Sequence, residues 1–156
     1  MVRIRVAKPG DVELIYRFIC NKAEFDREMG SYFGKIKTTV AKIQQTLFGD
    51  RHFAYVLLAE AEASTIGFAL YYFRYSSFAG QPSIWLDDLF INPEMRNYGV
   101  GTLLMNELLQ IAKNNSCSHL AWTADARNMQ GLRFYKRLGA EIIEQNGDRC
   151  FLNWKV

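Results

Sequence analysis

The chain has 156 residues, of which 49% are hydrophobic and 22% charged, and its net charge is +3. That size suits a single domain spanning 1–156, and no window approaches the roughly eighteen uncharged apolar residues of a membrane span. The basic residues are scattered rather than gathered into a patch, which argues against a nucleic-acid partner.

The opening Met1-Val2-Arg3-Ile4-Arg5 alternates like a strand and shows no signal-peptide pattern. A first strand is predicted over Arg3 to Ala7. Pro9-Gly10-Asp11 then opens a helix that runs to about Ala23, with Val12, Leu14, Ile15, Phe18 and Ile19 on its apolar face. Phe25 to Gly34 reads as a loop. A second helix follows over Thr38 to Phe48, with Val40, Ile43 and Leu47 on one side and Gly49-Asp50 at its end. Aromatic and β-branched content predicts strands over Phe53–Glu60, Thr65–Tyr75 and Ser83–Ile91, with a loop at Ser76–Pro82. A helix over Val100–Lys113, a strand over His119–Ala124 and a helix over Asn128–Leu138 come next. Two closing strands, Ala140–Glu144 and Arg149–Trp154, are joined by Asn146-Gly147, a hairpin signal. The order predicts a mixed α+β fold, a central sheet flanked by helices.

Cys20, Cys117 and Cys150 are odd in number and widely spaced, so they match neither a zinc pattern nor a disulfide framework. They read as small core residues in a reducing, cytoplasmic setting. His52 and His119 are far apart, and no metal is expected.

The stretch with most chemical content is Arg96-Asn97-Tyr98-Gly99-Val100-Gly101, set between the strand Trp85-Leu86-Asp87-Asp88-Leu89-Phe90-Ile91 and the helix that starts near Val100. The first amides of a helix lack internal partners and lie at the positive end of its dipole, and glycine lets an anion approach the main chain. The run therefore reads as a diphosphate cradle, with Thr102 continuing it and Arg96 as a mobile cation at its rim. It does not match the P-loop, and Gly99-x-Gly101 is followed by Leu104, so the dinucleotide fingerprint fails as well.

Arg-x-x-Gly-x-Gly resembles the acetyl-CoA loop of the GNAT N-acetyltransferases. Asn128 followed by Arg133-Phe134-Tyr135-Lys136-Arg137-Leu138-Gly139-Ala140 resembles that superfamily's second signature. Ile66-Gly67-Phe68-Ala69-Leu70-Tyr71-Tyr72-Phe73 and Trp85 to Phe90 are similar to the diamine (spermidine/spermine) branch, which includes enzymes acting on thialysine-like amino acids. The resemblance runs from Ile4 to about Phe151. It implies a mostly antiparallel twisted sheet of about seven strands with about four helices, splayed around the CoA-binding helix. It also implies acetyl-CoA as co-substrate, a small amine as acceptor, and a homodimer.

Acetyl transfer from a thioester needs a neutral amine, a donor for the carbonyl oxygen and a proton or hydrogen bond for the departing thiolate. An alkyl ammonium titrates near 10.4, so carboxylates that attract it and accept its proton are required. Asp87 and Asp88 are adjacent in a strand, which puts their side chains on opposite faces and leaves one of them for the pocket. The resemblance assigns the amine to Asp87 and the distal end of the acceptor to Asp26. Asp stands at both where the family usually has Glu, which favours a bridging water at Asp87. Tyr135 is then expected near the sulfur as its hydrogen-bond donor. Leu89, Phe90 and Ile91 are expected to offer free backbone groups to the acetyl and pantetheine parts. Asn97, Tyr98, Val100, Asn128 and Lys136 are expected to contact the cofactor, and Tyr72 to line the acceptor channel. Asp148 follows Gly147 where animal diamine enzymes have Trp, a departure from strict spermidine-like specificity. The expected activity is N-acetylation of a polyamine, diamine or amino-acid side-chain amine by direct attack. The alternatives are a peptide N-acetyltransferase and a non-catalytic CoA-binding module.

Overall fold

Alternation along the strands sorts side chains onto the two faces of one sheet, and helices then cover both faces. A computed structural model describes all 156 residues, Met1–Val156. The elements in chain order are β1 (Val2–Val6), α1 (Val12–Met29), α2 (Val40–Phe48), β2 (Tyr55–Ala61), β3 (Ser64–Ser76), β4 (Gln81–Ile91), α3 (Val100–Asn114), β5 (His119–Asp125), α4 (Met129–Leu138), β6 (Glu141–Asn146) and β7 (Arg149–Lys155). Short 3-10 turns at Pro9–Asp11 and Pro93–Met95 lead into α1 and the loop before α3. The seven strands form one sheet in the order β1-β2-β3-β4-β5-β7-β6, as the mixed α+β reading expects. Every neighbouring pair is antiparallel except β4 and β5.

Along β2, Val56 and Leu58 point to one face and Leu57 and Ala59 to the other. The first face packs against Ile15 and Phe18 of α1 and Ile43 and Leu47 of α2. The second packs against Val100, Leu104, Met105 and Leu108 of α3. Fully burying side chains of this kind contributes about 1.5–3 kcal/mol each.

One helix is longer than its sequence suggests. α1 continues past Ala23 to Met29, so Asp26 lies on a helix and not in a loop. The apolar period fades after Ile19, but ion pairs take over its last turns: Lys22 with Asp26 and Arg27 with Glu24. Gly30, with φ of 80°, ends the helix in the left-handed conformation, and its N–H donates to the Arg27 carbonyl.

Two irregularities in β4 shape everything that follows. The β3–β4 register shifts between Leu70 and Tyr71, which pair with Asp88 and Leu86 and leave Asp87 unmatched. This bulge changes the parity of the strand. Leu86 faces α3, whereas Phe90 packs on the α1 side. The second irregularity is the short contact with β5. Only Ile84↔Leu120 and Trp85↔Ala121 pair in parallel, after which the strands part. The splay expected from the family resemblance is present.

Gly67 pairs with Ile91 beside this open edge. A Cβ there would sit 2.7 Å from Ile91 Cδ1 and 2.9 Å from the Phe90 carbonyl oxygen. Gly67→Ala is expected to lose about 1–3 kcal/mol in urea unfolding, while Gly10→Ala, which meets nothing within 4 Å, stays near wild type. Equal midpoints for the two variants would show that the β3–β4 pair can part freely.

Candidate active site

The splay opens a cavity of about 930 Å³ between the two halves of the sheet. Its walls come from α1, β4, the loop into α3, β5, α4 and the β6–β7 turn. Beyond Trp85, β4 has no ladder partner on its β5 side, so backbone groups from Leu86 to Ile91 that point that way face this space.

At one end lies the loop read as a diphosphate cradle. Gly99 is the N-cap of α3 with φ of 82°, and Asn97 also has positive φ, at 66°. The first helical bond of α3 runs from the Leu103 N–H to the Gly99 carbonyl. None of the amides from Asn97 to Thr102 donates to another backbone or side-chain group. A left-handed Gly99 followed by free helix-first-turn amides is the local geometry that suits an anion. The two glycines differ in purpose. A Cβ on Gly99 would meet only open space, so its backbone angle is what matters. A Cβ on Gly101 would lie 3.0 Å from Cζ of Phe134, so Gly101 lets α3 and α4 approach.

Arg96 is not the mobile rim cation that its sequence position suggests. Its Nε donates to the Ile91 carbonyl at 2.9 Å. Its guanidinium lies 5.0 Å from the Phe25 ring centre and 5.3 Å from that of Phe90. It therefore ties α1 to the free end of β4 while still lining the cavity.

The acids lie on the α1 side of the cavity. The bulge overturns the expectation that Asp87 and Asp88 point apart, because both line this cavity. Asp87 Oδ1 accepts from the Trp85 indole N–H at 3.3 Å. Asp88 is half-buried, and its carboxyl is pushed up to about 6. Burial is the main cause; Lys22 opposes it, and the charges of Asp87 and Asp26 add to it. Asp26 is held by Lys22, whose Nζ lies 2.6 and 2.7 Å from its two carboxylate oxygens.

Across the cavity, Tyr135 packs at 5.0 Å from the Trp122 ring and 5.3 Å from that of Phe134. Burial first, and the charge of Asp26 second, hold its hydroxyl well above the ordinary tyrosine value, so it is a neutral donor. Asn128 lines the cavity, but its Oδ1 caps α4 by accepting from the Gly131 N–H at 3.0 Å, which leaves its amide NH2 free.

Of the residues singled out by sequence, Asp26, Asp87, Asp88, Leu89, Phe90, Ile91, Arg96, Asn97, Gly99, Val100, Gly101, Thr102, Asn128 and Tyr135 meet at this cavity. Tyr72, Tyr98 and Lys136 do not. Tyr72 sits on β3 opposite Trp85, outside the splay. Tyr98 and Lys136 face solvent. Sequence reasoning missed Lys22, Trp85 and Trp122 in the walls. Lys22 carried a usable signal, because Lys22 and Asp26 sit four apart, the spacing of a helical ion pair. No group of three or more His, Cys, Asp or Glu side chains is arranged to hold a metal ion.

Comparison with known proteins agrees with this geometry. The model of the acetyltransferase (GNAT) family matches residues 21–140. Thialysine N-epsilon-acetyltransferase of Bos taurus is 31% identical, over 96% of this chain and 91% of that protein. Spermidine/spermine N(1)-acetyltransferase-like protein 1 of Homo sapiens is 28% identical over 96% of this chain, which spans 22% of that protein. The fold matches the paia N-acetyltransferase of Thermoplasma acidophilum, solved in complex with coenzyme A, with a TM-score of 0.74 and 15% identity over 100% of this chain and 99% of that one. A sheet splayed beside a helix whose first amides are free, together with the family match, means that the chain belongs to the GNAT family of acetyltransferases and uses acetyl-CoA as its acetyl donor.

Proposed function

We propose that the protein acetylates a primary amine of a small polyamine, diamine or amino-acid side chain, by direct attack with both substrates bound. The observation that carries this reading is the meeting, in one cavity, of Asn97 and Gly99 to Thr102 with their free amides, a neutral Tyr135 hydroxyl and three carboxylates. The bovine relative is named for acetylating the ε-nitrogen of thialysine, an acceptor of this class.

When bound, acetyl-CoA supplies a thioester with an electrophilic carbonyl carbon. The amides from Asn97 to Thr102 grip its diphosphate in this reading, and the unpaired edge of β4 from Leu89 to Ile91 holds the pantetheine arm and the carbonyl oxygen. Asp87 and Asp88 draw in the ammonium form of the acceptor. Asp88, titrating near 6, then accepts the amine proton, since a base poised near the working pH balances availability against strength. Asp88 rather than Asp87 is then the base. The C–N bond forms, the C–S bond breaks, the second proton of the nitrogen passes to the departing sulfur to give the free thiol, and Tyr135 donates a hydrogen bond to that sulfur. Cys20, Cys117 and Cys150 lie outside the cavity walls, which supports direct attack over an acyl-enzyme.

The finer reading also includes a cytoplasmic homodimer. Three free cysteines support a reducing setting. The β6 edge strand, with exposed Ile142 and Ile143, supports a second copy as its partner.

An amine-panel assay with acetyl-CoA tests the reading directly, and acetylation of none of its members would reject it. Tyr135→Phe should lower kcat by about a hundredfold with CoA affinity retained; an unchanged kcat would remove Tyr135 from the mechanism. Asp88 also predicts a pH signature. Its folded value near 6 lies above the ordinary 3.8, so between those values the folded state holds more protons and stability falls as pH rises. Asp88→Asn removes that cost. Its Tm should exceed wild type at about pH 8 and converge with it near about pH 4 in scanning calorimetry. A constant difference across that range would show that Asp88 is not the buried acid.

A further inference from the structure

We propose that the Lys22–Asp26 pair reads the zwitterionic head of an α-amino acid, with Asp26 taking the α-ammonium and Lys22 the α-carboxylate. The side-chain amine of the same molecule then lies at Asp87 and Asp88. This inference deepens the acetyltransferase reading above and rests on it.

Lys22 has no part in the chemistry of acetyl transfer, yet it sits in the acceptor end of the cavity. Its ammonium lies one helical turn from Asp26, with both side chains largely buried, 23% and 27% exposed. It is near enough to Asp88 to act on that carboxyl's charge. Arg137 and Arg149 line the cavity from α4 and β7, whereas three other guanidiniums are engaged elsewhere. Arg96 lies over Phe25 and Phe90, Arg27 pairs with Glu24, and Arg127 pairs with Asp125 at 2.8 Å.

Charge matching then selects the acceptor. A diamine brings a second ammonium to the far end of the cavity, where Asp26 is already neutralised by Lys22. The new cation must compete with Lys22 for one carboxylate, and the two cations repel each other at close range. An α-amino acid brings one charge of each sign. The Lys22–Asp26 pair opens into two pairs, and every partly desolvated charge keeps a partner. Only the amine at the other end of the molecule remains for Asp87 and Asp88.

L-lysine and 1,5-diaminopentane share the same amine tail and differ by the carboxylate, which makes them a matched pair of probes. With the full chain and acetyl-CoA, kcat/KM for L-lysine should exceed that for 1,5-diaminopentane by about tenfold or more. Lys22→Leu should collapse or invert that ratio, and Lys22→Arg should retain it. Calorimetric titration of the CoA-loaded protein with Nε-acetyl-L-lysine and with N-acetyl-1,5-diaminopentane reads the same discrimination without turnover. Wild-type preference for the diamine, or a ratio that Lys22→Leu leaves unmoved in both measurements, would overturn the proposal. Failure of every amine to be acetylated would reject the enzymatic reading instead, with the titration still deciding what Lys22 recognises.

Discussion

The parting of β4 from β5 after the Trp85–Ala121 pair is the constraint on which the rest of the molecule depends. A parallel ladder cut off after two pairs leaves main-chain groups without partners on both strands, and buried main-chain groups are costly when unpaired. The fold tolerates the gap because each strand is secured on its far side. β4 is paired with β3 at every residue but Asp87, and β5 is paired with β7 along its whole length. Two separate aromatic contacts stiffen the walls. Phe18 stacks on Phe68 at 5.2 Å behind β4, and Trp122 meets Tyr135 behind β5. The gap is therefore a rigid slot rather than a frayed edge, and an extended ligand can complete the hydrogen bonding that the sheet leaves open.

The bulge at Asp87 determines which chemistry the slot carries. In a regular strand neighbouring carboxylates point apart, and one of the two would face α3 and its apolar packing. The unmatched residue turns the end of β4 so that Asp87 and Asp88 share one wall. α1 then brings Asp26 and Lys22 to the same wall, and Arg96 locks the helix to the strand end through Phe25, Phe90 and the Ile91 carbonyl. This side of the cavity is thus an arrangement of charges that includes a cation, Lys22. Burial raises the Asp88 carboxyl, and the charge of Lys22 offsets part of that rise.

The cofactor end and the acceptor end depend on different physical effects. At the cofactor end, neutral amides and the α3 dipole provide for an anion with no lysine or free arginine in the loop itself. At the α1 side, full charges lie at partial burial, with the Lys22–Asp26 pair in the same wall as Asp87 and Asp88. Tyr135 lines the same cavity against Trp122, and burial holds its hydroxyl neutral, so it adds no charge to either field.

Local features were legible in the chain itself. Strand alternation, the Gly99-x-Gly101 turn, the hairpin at Asn146-Gly147 and the signature around Tyr135 depend on neighbours within a few residues, so periodicity, turn chemistry and family resemblance identify them. The length of α1 escaped, because its last turns are held by ion pairs and by Gly30 rather than by an apolar stripe. Tertiary structure alone decided the rest. The bulge that brings Asp87 and Asp88 to one wall, the capture of Arg96 by two rings and the placing of Lys22 in the same cavity wall as Asp88 all arise from pairing register and helix docking. Those are set by contacts between residues far apart in sequence, and no pattern within a short window encodes a shift of one residue between two strands.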